Sequence, residues 1–156
     1  MAVYRSLSAQ LVRRLAVVAA VVAVLLGFVV SPAAHAGPGE GDFFNRTNSA
    51  RASYRLRGYV SKADLVTVAR RQAQRMASQG RLYHNPSLQR EVTGWRMIGE
   101  NVGRGGTVAA IHYAFMKSTA HRANLLDRDF TEVGMGTAVD ARGVIYVAQV
   151  FRLPQR

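Results

Sequence analysis

The stretch Thr131–Phe151, TEVGMGTAVDARGVIYVAQVF, decides the fold. Two runs rich in β-branched and aromatic residues, Thr131–Val139 and Val144–Phe151, flank Asp140-Ala141-Arg142-Gly143. That four-residue connection ends on a glycine suited to positive φ, so the pattern predicts a β-hairpin. The second run is apolar on both faces except at Gln149. A strand of that kind is covered from both sides, which predicts a central antiparallel sheet between helical layers. The fold class is therefore α+β, a three-layer α-β-α sandwich.

Upstream, the apolar spacing supplies the helices. Ser61 to Asp64 has the Ser-x-x-acid form of a capping box, and Leu65, Val68, Ala69, Ala73 and Met76 follow at helical intervals up to Gly80. Asp42 is read as the cap of an earlier helix reaching Tyr54, with Phe43, Phe44 and Thr47 on one stripe and Asn48 and Arg51 three apart. Thr107 caps a further helix whose Val108, Ile111, His112 and Phe115 share a face, and Ser118 caps a short one, Thr119 to Leu126, with His121 in its first turn. Between them, Arg81 to Trp95 is irregular and delivers His84 just past a helix end. Met97 to Val102 reads as a short extended segment, closed by the turn-rich Gly103-Arg104-Gly105-Gly106.

The front of the chain has a different character. A basic n-region, Met1 to Arg14, precedes 16 apolar residues, Leu15 to Val30, and then Ser31-Pro32-Ala33-Ala34-His35-Ala36. This is the pattern of a secretory signal peptide, 1–36, cleaved near Ala36-Gly37; the apolar run falls short of the ~20 residues that span a hydrocarbon core. Residues 37–41 are then a flexible lead and 42–156 one domain. A domain of that size buries roughly two thirds of its unfolded surface in a single core.

The 156 residues carry 21 Lys+Arg against 9 Asp+Glu, a net charge of +12. Three of those cations, Arg5, Arg13 and Arg14, and no acid lie before Gly37, so the rest of the chain keeps a net charge of +9. The excess reads either as a biased composition or as an attraction to anionic envelope polymers, lipid headgroups or extracellular nucleic acid. Specific nucleic-acid recognition is not expected, because no zinc-finger spacing or aromatic-interleaved basic ribbon is present. The chain has no cysteine, which excludes thiol catalysis, thiolate metal sites and disulfides.

For chemistry, the sequence offers His84, His112 and His121, with Glu100 as the carboxylate that could orient one of the imidazoles. His112 lies on an apolar stripe and reads as a core histidine. His84 and His121 leave site and scaffold both open from spacing alone. No Gly-x-Ser-x-Gly elbow is present.

Taken in order, Asn48-x-x-Arg51, His84, Gly99-Glu100-Asn101-Val102, the run from Phe115 through His121 to Leu126, and Val133-Gly134-Met135-Gly136 resemble a bacterial CAP-superfamily (SCP-like) domain. This superfamily groups cysteine-rich secretory, antigen 5 and pathogenesis-related 1 proteins, and the resemblance covers about Asp42 to Leu153. It implies the α-β-α sandwich and a cleft where two histidines and acidic residues converge on a divalent metal, often zinc. Carried over by position, His84 and His121 match the metal histidines and Glu100 the glutamate, as a ligand or as the carboxylate that orients a ligating histidine. His112, Ser118 and Asn101 are candidate cleft neighbours. The chain departs from the full tetrad: Lys117 and Ser118 stand where a second glutamate is found, which implies weak or conditional zinc; no organic cofactor is expected.

Asn48, Arg51 and Asn124 read as loop ties, Gly99, Gly134 and Gly136 as close-packing positions, and Trp95 as a cover for the core edge. The function expected is a secreted, monomeric ligand-binding or interaction module, with a lipid, another hydrophobic ligand or an anionic envelope polymer as partner. One alternative is a zinc-assisted hydrolase of peptide or envelope substrates, with Glu100 as the catalytic base. The other is a basic wall-associated structural protein.

Overall fold

The computed structural model describes residues 37–155. The expected signal peptide, 1–36, lies outside the described residues. The hairpin forms as its residues dictate: strand β3, Glu132–Val139, runs antiparallel to β4, Ile145–Pro154, with Val139 opposite Ile145 and Gly134 opposite Val150. Gly143 takes φ 81 in the connection, where Asp140 caps the turn by accepting the Arg142 and Val144 amides.

The other edge of β4 pairs antiparallel with β2, Trp95–Gly105. This strand is longer than the sequence suggests, because Gly103 and Gly105 remain in it instead of turning. Helix α4, Val108–Lys117, lies against them, and a Cβ on Gly103 would fall 2.5 Å from Phe115 Cε1. Here glycine makes room for a helix rather than breaking a strand.

The remaining helices are α1, Glu40–Ser53; α2, Ala63–Gln79; the single turn α3, Leu88–Glu91; and α5, Thr119–Leu125. A two-residue strand β1, Val60–Ser61, joins the sheet parallel to β3, giving the order β1-β3-β4-β2. The sheet is thus mixed at one edge and antiparallel elsewhere. The parallel pair requires a long crossover, supplied here by the chain from α2 to β3.

Side chains of β4 alternate between two cores. Tyr146, Ala148 and Val150 are buried with the α2 stripe Leu65, Val68, Ala69, Ala73 and Met76. Val147 and Phe151 are buried on the other side with Phe43 of α1, Ile111 and Phe115 of α4, and Leu125 of α5. These are the three expected layers.

Two helix starts differ from the sequence reading. Helix α1 begins two residues before Asp42, with Gly39 at its cap in the left-handed region, φ 80. Glu40 of the expected lead is buried, ion-paired to Arg70 at 2.7 Å, and accepts the amides of Gly37 and Thr137. The Ser61–Asp64 capping box does not form either: Lys62 occupies the cap without a side-chain bond. Ser61 is taken by the β1 pairing and the Asp64 carboxylate by Arg152, 2.6 Å away. Thr107 does cap α4, accepting from the Ala110 amide, and Gly80 closes α2 at φ 62.

Candidate functional site

His84 and Glu100 meet. Helix α2 ends at Gly80, the following segment carries His84 over the sheet, and β2 presents Glu100 from below. Glu100 Oε2 lies 2.8 Å from His84 Nδ1 and accepts the Asn85 amide at 2.9 Å. With the carboxylate ionised, Nδ1 carries the proton and donates it, which leaves His84 Nε2 as the free acceptor. The Glu100 side chain is 3% exposed and that of His84 65%, so a buried acid steers an imidazole open to solvent.

Burial raises the Glu100 pKa above its ordinary value, against the opposing effects of the Asn85 amide, His84 and Arg75. Its second oxygen, Oε1, is buried without a hydrogen-bond partner. An orphaned buried acceptor next to an aimed imidazole is the kind of group a ligand donor or a water would complete. A cavity of about 680 Å³ opens over this pair, walled by the segment 84–90 and by Ile98 and Gly99 of β2.

His121 sits beside this cavity rather than in its lining. Its ring stacks on Phe115 with centroids 4.5 Å apart. Burial lowers its pKa below the usual histidine value, and the nearby charge of His84 lowers it further. The two rings are thus within electrostatic reach of each other.

Asn101 holds α5 against the sheet. Its Nδ2 donates to the His121 carbonyl at 3.0 Å and to Gln149 Oε1 at 3.1 Å, while its Oδ1 accepts from Asn124 Nδ2. Asn101 therefore fixes the backbone that carries His121. Ser118 is the cap residue of α5, without a side-chain cap bond. His112 does not line the cavity; its ring meets Phe43 edge-on at 5.7 Å.

The loop ties are as read. Asn48 exchanges two hydrogen bonds with the Tyr59 backbone, and Arg51 donates to the carbonyls of Arg57, Leu125 and Asp127. Sequence reasoning passed over Asn85, whose amide holds Glu100 and whose own carbonyl oxygen Oδ1 accepts the Ser87 amide. The signal was present: Asn-Pro-Ser is an Asx-turn sequence.

Burial lowers the His112 pKa, with Arg46 adding to the effect and Asp42 opposing it. A histidine kept neutral by the fold contributes stability above its ordinary pKa of 6.5, and that stability is lost as pH falls. His112 Nε2 is also buried without a partner. His112→Phe is therefore expected to leave stability at pH 7.5 unchanged or higher and to shrink the fall in Tm on going to about pH 5.5. A fall as large in the variant as in the parent protein would contradict this.

The α-β-α sandwich with His84 and Glu100 paired in one cleft is the arrangement that the resemblance to SCP-like domains implies. Residues 44–151 match the model of the CAP, or cysteine-rich secretory protein, family, and the chain belongs to that family. Among solved structures, an outer surface protein of Borrelia burgdorferi shares the fold at TM-score 0.68 and 15% identity, covering 74% of this chain and 92% of that one. An SCP-domain extracellular protein of Bacillus anthracis matches at TM-score 0.62 and 24% identity over 76% of this chain. A cysteine-rich secretory protein of Staphylococcus aureus matches at TM-score 0.65 and 21% identity over 78% of it. The chain spans 40% of the length of each of the last two. No curated protein matches it in sequence.

The donor set tests the metal that the family resemblance implies. Among the described residues no group of three or more His, Cys, Asp and Glu side chains is arranged to hold a metal ion. Glu100 Oε2 is committed to His84 and Asn85. The set does not fit a closed structural zinc site, which requires four protein ligands. His84 Nε2 and a His121 nitrogen are the donors left.

Proposed function

We propose that this protein is a secreted CAP-domain binding module whose cleft takes a ligand against the His84–Glu100 pair. The observation that carries the reading is the His84–Glu100 pair: a buried carboxylate bonded to an exposed imidazole, with both residues in the wall of a cavity of about 680 Å³. A ligand that donates a hydrogen bond to His84 Nε2 would use the acceptor that the Glu100 contact leaves free. Zinc, if held, is held by His84 and His121 with water completing the shell, and Glu100 orients His84 from behind.

Export follows from the leader pattern, and mass spectrometry of the released protein should place its N-terminus at Gly37. The excess of arginine favours salt-sensitive attraction to anionic envelope polymer.

The test is a calorimetric Zn²⁺ titration at neutral pH and again near pH 5, alongside His84→Ala and His121→Ala. Weak, saturable binding near one equivalent, lost in either variant and weakened by acid, is the expected result. Full-strength binding in both variants would overturn the assignment of the ligands. The raised proton affinity of Glu100 favours one second reading, a hydrolase with Glu100 as general base. Turnover of peptide or envelope substrates that chelation abolishes would select it over the binding module.

A further inference from the structure

A second cavity, of about 370 Å³, shares no lining residue with the His84 cleft. Its walls come from the turn after α1, which supplies Arg55 and Arg57, from Arg128 ahead of β3, and from Lys62 ahead of α2. Val60 and Phe130 give it an apolar side. Arg55, Arg57 and Arg128 are exposed, and among the described residues their guanidinium groups have no hydrogen-bond or ion-pair partner.

Among the described residues the charge of the lining is not balanced. Glu132, the one carboxylate in the lining, is bonded to Arg152 at 2.6 Å and to Lys62 at 3.3 Å. Arg51, buried at the back of the cavity, is held by the carbonyls of Arg57, Leu125 and Asp127 and lies over the Tyr59 ring, with no carboxylate bonded to it. The Asp127 carboxylate is turned into its own loop, where it accepts the Asp129 and Phe130 amides. Like charges gathered in a concavity repel one another and concentrate anions there. The turn also holds Arg55 at φ 56, the one positive-φ residue other than glycine among the described residues. A conformation that L side chains rarely adopt thus places an arginine at the rim of this cavity.

We propose that this cavity binds the phosphate group of a phosphate ester. Three separate guanidinium forks around one space can each bond a different oxygen of a tetrahedral anion, whereas a carboxylate presents only two oxygens and is satisfied by one fork. The cavity is larger than a bare phosphate needs, and its Val60–Phe130 side receives the esterified body. The site goes beyond the cleft reading and does not depend on it.

The chemistry admits a soluble ester or a lipid headgroup, and the test separates them. Calorimetry with glycerol phosphate forms one arm; co-sedimentation with phosphatidylglycerol/phosphatidylcholine vesicles, against phosphatidylcholine alone, forms the other. Arg55→Gly suits the left-handed backbone and removes one cation, Arg128→Gln removes another, and Arg96→Gln removes an exposed charge outside the cavity. The expected result is binding of at least one probe that weakens about tenfold or more in Arg55→Gly and Arg128→Gln but little in Arg96→Gln. Binding of glycerol phosphate assigns a soluble ester; binding of anionic vesicles alone assigns a headgroup. Loss of equal size in Arg96→Gln, or no binding of either probe at low salt, would overturn the site.

Discussion

Replacing Gly136 by alanine is expected to destabilise the protein by about 3 kcal/mol or more, the upper part of the range for forcing atoms into a packed core. A Cβ at Gly136 would be driven into the backbone of Ala69 and Arg70, and one at Gly134 into that of Leu65 and Val66. These two glycines lie two apart on β3, on one face of the strand, and their neighbours lie four apart on α2. Helix α2 thus rests its backbone directly on the sheet. Backbone cannot rotate out of the way as a side chain can, so the helix must lift from the strand. Lifting it loosens the packing of Leu65, Val68, Ala69, Ala73 and Met76 against Tyr146, Ala148 and Val150.

The informative comparison is Gly143→Ala. That glycine has φ 81 with no atom near its missing Cβ, so the substitution costs only the left-handed strain, about 1 kcal/mol. Urea unfolding of both variants decides the matter. A loss at Gly136 no larger than at Gly143 would mean that α2 is not seated on β3 as described.

The hairpin was legible because a strand that is apolar on both faces has few alternatives, and Gln149, its exception, now has a reason. Gln149 is fully buried, donates to Thr47 Oγ1 of α1 at 3.1 Å and accepts from Asn101. The polar residue is the point where the sheet is tied to the helical layer. What misled the sequence reading were residues whose partners lie far along the chain. Asp64 looked like half of a capping box, but Arg152, 88 positions away, takes its carboxylate. Strand β1 has two residues and exists only because β3 lies beside it. Gly103 and Gly105 resemble a turn until Ile111 and Phe115 are placed over them.

The site divides in the same way. His84 and Glu100 were candidates from residue type, and the family resemblance paired them. Their meeting at 2.8 Å depends on a segment that neither periodicity nor propensity describes. Asn85 was missed because its contribution is a backbone amide, which any residue type but proline supplies. His121 was placed on the right helix. Its stacking on Phe115, by contrast, follows from how α4 and α5 turn toward each other, for which the sequence carries no local signal.

Asn101→Asp is expected to cost about 3–5 kcal/mol at neutral pH, the range for a buried charge left without a partner. Asn101 is 1% exposed and serves three elements at once. Its amide nitrogen faces two acceptors, the His121 carbonyl and Gln149 Oε1, and its oxygen faces the Asn124 donor. In the aspartate variant, the ionised form sets a carboxylate oxygen against those two acceptors and deprives Gln149 Oε1 of its donor. Protonation restores one donor but not two, so lowering the pH relieves part of the loss. The stability difference between Asn101→Asp and the parent protein should therefore narrow from pH 7 toward pH 4.5, as a carboxyl group whose folded-state pKa is raised requires. Asn101→Ala is the companion: it removes the donor without adding charge, and its loss, about 1–3 kcal/mol, should be smaller. The effect also reaches the cleft, because Asn101 holds the backbone of His121. The His121 ring resonances should broaden or shift in Asn101→Ala, while the contact of His84 with Glu100 persists. Unchanged His121 resonances would show that α5 is positioned by its apolar contacts alone, and equal stability losses in the two variants would show that the added charge is not what destabilises Asn101→Asp.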